Sequence, residues 1–284
     1  MKIAATRVLP GSAWDELPDV AIGDFANAEV AIVANEAIAV DALPSLRLIA
    51  NFGVGYDRID LDACRARGIA VTNTPGVLDA ATADLAFGLM LAARRRILEG
   101  DAIVRDGRWG TPWSAGPFLG REVSGARLAV IGLGRIGTAV ARRAAAFDMR
   151  VVGVRSREGD LDAALREAEV VSLHVPLSDA TRGLISRERL ASLRDGATLV
   201  NTARGAVVDE DALVDELVSG RITAGLDVFV HEPHVPERLL GLPNVVLTPH
   251  IASATVETRA AMTRIVVDNV LAFLRGDPLL TPVL

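Results

Sequence analysis

The stretch Leu128-Ala-Val-Ile-Gly-Leu-Gly-Arg-Ile-Gly137 constrains this chain more than any other. An apolar run feeds directly into a Gly-x-Gly-x-x-Gly turn. A helical pattern follows, and a second apolar run, Arg150-Val-Val-Gly-Val154, closes the unit. Strand, glycine turn, helix and strand in that order predict a βαβ crossover. Each glycine has a physical reason. Gly132 permits the tight turn, Gly134 lets a ligand's pyrophosphate approach the backbone, and Gly137 lets helix and strand pack closely. The free amides around Arg135 and Ile136 at the helix start then face an anion. A dinucleotide is the expected ligand, and an ordinary strand-turn-helix with structural glycines is the alternative.

The end of the second strand sharpens the expectation. An acid usually stands there to hold the ribose hydroxyls of NAD. Here the place is taken by Arg155-Ser156-Arg157. Two cations and a hydroxyl suit a 2′-phosphate better than a bare ribose, so the residues favour NADP(H), with NAD(H) as the second option. The competing reading is a pair of solvated surface arginines.

The rest of the chain repeats the alternation of strand and helix. Ile3 to Val8, Glu29 to Val33, Leu46 to Ala50 and Ile69 to Val71 read as strands in the first third. Asp79 to Arg105 reads as one long helix, and the Gly-, Pro- and Trp-rich loop Gly107 to Gly120 marks a domain change. Beyond it, Leu128–Leu133, Val151–Val154, Val170–Val175, Ala197–Asn201, Ala224–Val228 and Val245–Thr248 read as strands. A last helix, Val256 to Arg275, stops at Gly276-Asp-Pro. The expected architecture is α/β: two Rossmann-like or flavodoxin-like domains with parallel sheets and a cleft between them. Residues 1–96 with 256–284 form the expected substrate domain, and 97–255 the dinucleotide-binding domain.

Composition narrows the function classes. At 284 residues there is room for two domains. A net charge of −6 argues against a nucleic-acid or anionic-membrane partner. Cys64 is the only cysteine, which suits a reducing cytoplasm, and no signal peptide or transmembrane run is evident. Lys2 is the only lysine among 30 basic residues, so Schiff-base chemistry is nearly excluded and anion binding falls to arginine and backbone amides.

Only four histidines are candidates for proton transfer. His174, at a strand end, reads as a structural or cofactor-wall residue. His231 and His234 lack the spacing of a helical zinc motif, and Cys64 is remote, so no metal site is expected. His250 follows a strand, on the active edge of such a sheet, and by position alone is equally a catalyst or a structural residue.

Seven motifs carry a resemblance over nearly the whole chain: Asn51-Phe-Gly-Val-Gly-Tyr-Asp57, Asn73-Thr-Pro-Gly76, Gly132-Leu-Gly-Arg-Ile-Gly137, His174-Val-Pro-Leu177, Asn201-Thr-Ala-Arg-Gly205, Leu226-Asp-Val-Phe-Val-His-Glu-Pro233 and Thr248-Pro-His-Ile-Ala252. Together they resemble the D-isomer-specific 2-hydroxyacid dehydrogenase family, most closely its glyoxylate/hydroxypyruvate reductase branch. The resemblance implies three catalytic positions. Arg204 holds the substrate carboxylate and polarises its carbonyl, His250 is the general acid/base, and Glu232 hydrogen-bonds the histidine and keeps it protonated for donation. It implies a carboxylate anchor at Val54 and Gly55, whose amides form a backbone nest. Asp227 is expected near the nicotinamide amide, and His174, Val175, Thr202, Ala203 and Ser253 along the cofactor and active cleft.

The implied activity is NADPH-preferring reduction of a small 2-keto acid to the D-2-hydroxy acid. An aryl-pyruvate or other D-2-hydroxyacid dehydrogenase is one alternative, and a dinucleotide-sensing regulatory binding protein of the same fold is another. Trp109 and Trp113 are expected at a substrate pocket or a dimer interface, and the resemblance makes a homodimer plausible. Residues Gly11 to Asp24 are expected to lack a helix that usually shapes the substrate mouth.

Overall fold

The computed structural model describes residues 1–34, 36–110, 118–155 and 161–284. The chain divides into two compact units, 1–78 with 253–284, and 79–252. The first opens with β1 (Ile3–Ala5), a 3₁₀ turn (Ser12–Glu16), β2 (Val20–Ile22), β3 (Val30–Val33) and β4 (Leu48–Asn51). Helix α1 (Leu61–Ala66) and β5 (Ala70–Thr72) follow. The five strands are all parallel, in the order β2-β1-β3-β4-β5. β3 and β4 are buried at every position, which explains the apolar run of β3 and of Leu48–Ala50 in β4; the last residue of β4, Asn51, is a buried amide. β2 went unpredicted because it is a three-residue edge strand with no buried residue and so no strong pattern. The segment Gly11 to Asp24 thus contributes a 3₁₀ turn and an edge strand.

The second unit begins with α2 (Asp79–Arg94) and α3 (Ile97–Arg105), two helices where one long helix is expected. The break has a clear cause. The Arg94 carbonyl accepts the N–H of Arg121 at 2.7 Å, and Arg96 adopts a left-handed conformation with φ 54°. The buried Arg94 guanidinium donates to the carbonyls of Glu122 and Glu169, fixing the helix end to two other segments. The domain boundary also differs from the expected division at 96/97. Helix α2 buries Ala83, Ala86, Leu89 and Met90 in the core of the second unit. A Cβ at Gly225 would press on Leu89, so that glycine lets the helix lie close on the sheet.

The sheet of this unit comprises β6 (Arg127–Ile131), β7 (Arg150–Val154), β8 (Val170–Leu173), β9 (Thr198–Asn201), β10 (Thr223–Leu226) and β11 (Val245–Leu247). Its helices are α4 (Arg135–Ala146), α5 (Leu161–Glu167), α6 (Arg187–Ser192), α7 (Glu210–Val218) and α8 (Glu237–Leu240). All strand pairs are parallel, in the order β11-β10-β9-β8-β6-β7. From β6 the chain goes first to one side, β7, and then to the other, β8. That reversal is a topological switch point, where open α/β sheets leave room for a ligand at the strands' C-terminal ends.

The final helix, α9 (Val256–Arg275), returns to the first unit and is capped by Gly276 in the left-handed region, with φ 76°. After it, Pro282 forms an antiparallel bridge with Thr72, and the Val283 N–H reaches the Val71 carbonyl at 2.7 Å. Among the described residues no helix is long and apolar enough to cross a membrane.

Candidate active site

Three neighbouring strands of the second sheet each deliver one of the expected catalytic residues. Arg204 lies in the turn after β9, Glu232 in the loop after β10, and His250 in the loop after β11. Parallel pairing puts all three strand ends on one edge, so residues far apart in sequence converge by topology.

The acid and imidazole meet directly. Glu232 Oε2 lies 2.9 Å from His250 Nδ1, and its Oε1 accepts the Phe229 N–H at 3.2 Å. An ionised carboxylate only accepts, so Nδ1 carries the proton and Nε2 is the nitrogen left for exchange. The acid is the more enclosed partner, with a side-chain exposure of 16% against 32% for the imidazole. His250 has φ 54°, a conformation that costs an L-residue bearing a Cβ about 1–2 kcal/mol. It is held there by its N–H, which donates to the carbonyls of Asp227 (2.9 Å) and Thr248 (3.1 Å).

Asp227 organises the same loop. It is fully buried, and its carboxylate accepts from Thr248 Oγ1 (2.6 Å) and the N–H groups of Ile251 (2.8 Å) and Ala252 (2.9 Å). Burial raises its pKa above the ordinary carboxylate value, and these hydrogen bonds oppose the rise. Its side chain is therefore engaged in holding the His250 loop, whatever it also offers a cofactor.

The Arg204 turn is pinned by Asn201, the buried last residue of β9. Asn201 Oδ1 accepts the Ala203 N–H at 3.0 Å, and Nδ2 donates to the Arg204 carbonyl at 2.9 Å. The Arg204 guanidinium donates to the Ala203 carbonyl at 2.8 Å. A Cβ on Gly205 would collide with the backbone of Phe229 and Val230, so glycine lets this turn touch the loop that carries Glu232. Glu210 Oε1 completes the contact by accepting the Val230 N–H at 2.9 Å.

The glycine turn after β6 sits at the switch point. Gly132 has φ 96°, and its N–H donates to the Val154 carbonyl at 2.8 Å, so the end of β7 and Arg155 lie beside it. A Cβ at Gly132 would strike the His174 backbone and the Val175 side chain, and one at Gly137 would strike the Gly132 carbonyl. One at Gly134 would meet nothing within 4 Å. The turn is therefore packed behind and open in front, and Arg135 and Ile136 start α4 without a side-chain cap. Thr202 Oγ1 is buried and has no protein partner among the described residues. An open glycine cradle, uncapped amides and an orphaned hydroxyl fit a dinucleotide.

Packing around His174 lowers its pKa to about 4, and Ser172 Oγ lies 2.7 Å from its Nε2. It is a neutral ring at the switch point. Val175 is buried, and Ala203 packs on the core. Arg155 is exposed; Ser156, Arg157 and Trp113 lie outside the described residues, and Trp109 is exposed. Ser253 opens the second stretch of the first unit, where its carbonyl accepts the Thr255 N–H at 3.0 Å. Val54 and Gly55 lie in the turn after β4, also in the first unit. The residues missed from sequence are those that hold the others: Asn201, Gly205, Glu210 and Thr248. Asn201 had a readable signal, an amide at a strand end just before a turn.

In sequence and fold the chain is similar to known proteins. Residues 87–252 match the family model described as D-isomer specific 2-hydroxyacid dehydrogenase, NAD binding domain. A glyoxylate reductase from Korarchaeum cryptofilum is 47% identical over 251 residues, covering 84% of this chain and 76% of that protein. A hydroxyphenylpyruvate reductase from Plectranthus scutellarioides is 47% identical over 255 residues, covering 86% of this chain and 80% of its own. The crystal structure of an NADPH-dependent glyoxylate/hydroxypyruvate reductase from Sinorhizobium meliloti, in complex with NADP and malonate, superposes with a TM-score of 0.86 at 36% identity, covering 99% of this chain and 96% of that one.

Proposed function

This chain belongs to the D-isomer specific 2-hydroxyacid dehydrogenase family, and we propose that it reduces a small 2-keto acid of the glyoxylate/hydroxypyruvate type to the D-2-hydroxy acid, with NADPH preferred over NADH. The observation that carries this reading is the 2.9 Å pairing of Glu232 with His250 on the strand-end edge that also carries Arg204.

The proposed division of labour follows from the chemistry of each group. The amides of Val54 and Gly55 bind the substrate carboxylate. Arg204 holds the same acid through its planar fork and stabilises negative charge developing on the carbonyl oxygen. His250 delivers a proton from Nε2 to that oxygen, while Glu232 keeps Nδ1–H oriented. A reduced nicotinamide dinucleotide supplies the hydride when bound. Gly132, Gly134, Arg135, Ile136 and Gly137 hold its pyrophosphate, and Arg155 with Ser156 and Arg157 takes the 2′-phosphate. His174, Val175, Thr202, Ala203, Asp227 and Ser253 line its remaining length. Arg155 stands where a dinucleotide-binding site usually carries an acid, and the NADP complex of the Sinorhizobium meliloti enzyme supports the same direction.

We also assign the protein a homodimeric state. Helix α3 has no buried residue and exposes Ile97, Leu98 and Val104, an apolar surface suited to a second copy. The match to a hydroxyphenylpyruvate reductase favours aryl-pyruvate as the second reading. Oxidation of NADPH and of NADH with glyoxylate, hydroxypyruvate and hydroxyphenylpyruvate, followed in parallel, separates the readings. The highest kcat/KM is expected for NADPH with glyoxylate or hydroxypyruvate. A clear preference for the aryl substrate would transfer the assignment to that reading, and no turnover with any would return the protein to a regulatory binding role.

A further inference from the structure

We infer that Asn51 and Asn73, backed by Thr281 and Asn269, are positioning residues that hold the turn Gly53–Gly55 with its carbonyls fixed and its N–H groups presented to a substrate carboxylate. The inference rests on the 2-keto acid reading above.

The turn is tied down in an unusual way. Asn51, the buried last residue of β4, donates from Nδ2 to the carbonyls of Gly53 (3.1 Å) and Gly55 (2.8 Å). Asn73 Nδ2 donates to the Val54 carbonyl between them at 2.9 Å, and the Thr74 N–H also reaches the Gly53 carbonyl at 3.0 Å. Three successive carbonyls are thus captured by two side-chain amides. A trans peptide is planar, with its N–H opposite its C=O. Fixing the carbonyls of Gly53, Val54 and Gly55 therefore fixes the directions of the N–H groups of Val54, Gly55 and Tyr56. Those N–H groups meet no acceptor among the described residues. Amides pre-aimed in this way bind an anion without first spending free energy on ordering the loop.

Asn73 is itself held from behind. Its carbonyl accepts from Thr281 Oγ1 at 2.6 Å, and its N–H donates to the Thr281 carbonyl at 3.3 Å. Thr281 is fixed by Asn269, a fully buried residue of α9. Asn269 Nδ2 donates to Thr281 Oγ1 (3.0 Å) and to the Ile265 carbonyl (2.8 Å), and its Oδ1 accepts the N–H groups of Leu280 (2.9 Å) and Thr281 (3.1 Å). Every donor and acceptor of this amide is used. The line Asn269–Thr281–Asn73–Val54 therefore connects the core of the unit to the anchor by hydrogen bonds alone.

The test uses the whole protein with Asn51→Asp, Asn73→Asp, Thr281→Val and Thr281→Ser. The two aspartates keep shape but replace the donating amide. Thr281→Val removes a hydroxyl without adding charge, and Thr281→Ser restores it. The readings are kcat, KM for glyoxylate, KM for NADPH and the inhibition constant of oxamate, a non-reducible carboxylate. The KM for glyoxylate and the oxamate constant are expected to rise about tenfold in each aspartate variant and about threefold in Thr281→Val. Turnover at saturation and KM for NADPH stay at the wild-type level, and Thr281→Ser behaves as wild type. Unchanged KM in Asn73→Asp and Thr281→Val overturns the inference. So does a parallel loss of kcat and NADPH affinity, the mark of a merely structural role. If the wild type reduces no 2-keto acid, the functional reading fails separately. Calorimetric titration with oxamate then decides: binding that weakens in the variants upholds the inference, and no binding to the wild type ends it.

Discussion

Asn51 and Asn201 are the same device put to opposite uses. Each is the buried last residue of a parallel strand, β4 in the first sheet and β9 in the second, and each folds its amide back onto the turn that follows. Asn51 spends only its donor, on two carbonyls, and so leaves backbone N–H groups facing out. Asn201 uses both ends, accepting from Ala203 N–H and donating to the Arg204 carbonyl, and so presents a side chain. The turn sequences decide the outcome. Gly53 and Gly55 put no side chain in the way of the amides, whereas Arg204 stands between Ala203 and Gly205. On the proposed reading, one anchor is made of main chain and depends on what positions it, whereas the other would be deleted by a single substitution.

The largest effect is therefore expected on the side-chain site. His250→Ala should lower kcat by about 10²–10⁴-fold with NADPH binding retained, as read by steady-state kinetics and cofactor fluorescence. Near-normal turnover would remove His250 from the proton-transfer role. Asn201→Ala should follow, lowering kcat/KM by about 10- to 100-fold because the Ala203 N–H and Arg204 carbonyl lose their partners and the guanidinium loses its position. If it changes only KM, as expected for Asn51→Asp, the two asparagines act alike and the contrast between them fails.

A third strand end extends the comparison to the cofactor. Arg155 follows β7 directly and is exposed, and on the proposed reading it acts through its side chain. Arg155→Gln should weaken NADPH by about 10- to 100-fold, the worth of one or two charge-assisted hydrogen bonds, and barely touch NADH. Equal losses for both cofactors, measured by direct titration, would assign Arg155 to general structure.

How much of this was legible in the sequence depended on whether the signal was local. The glycine turn and the helix Val256–Arg275 declared themselves through short-range chemistry, and the helix begins and ends at the expected residues. The strands of the second sheet were found with ends shifted by one or two residues, because pairing partners set where a ladder stops. The break at Arg94–Arg96 was invisible because its cause is a carbonyl captured by Arg121, a long-range contact. Likewise α2 reads as an amphipathic helix, but nothing within it says which sheet it covers; that is decided by Gly225 on β10. At the site, Arg204, Glu232 and His250 were legible through the family resemblance. Of the residues that hold them, only Asn201 left a local signal, an amide at a strand end before a turn; Gly205, Glu210 and Thr248 act through contacts distant in sequence.

The smallest effect tests a strand-end side chain that holds a ring neutral rather than moving a proton. The pKa of His174 is lowered by burial from 6.5 to about 4. An unfolded chain takes up this proton as pH falls through 6.5, while the folded protein refuses it until about pH 4. The contribution of His174 is therefore fully present above pH 6.5 and lost progressively between 6.5 and 4, amounting to about 2 kcal/mol lost by pH 5. Asp227, whose pKa burial raises, acts with the opposite sign, since its folded form binds the proton more readily as pH falls. A wild-type titration alone would mix the two. Urea unfolding at pH 7 and pH 5 of the wild type and of His174→Gln isolates the histidine, because the Asp227 contribution cancels in the difference. The variant should lose about 2 kcal/mol less than the wild type between the two pH values. Equal losses would mean that His174 titrates normally, as an open ring available for proton transfer, and His250 would no longer be the only strand-end imidazole suited to that role.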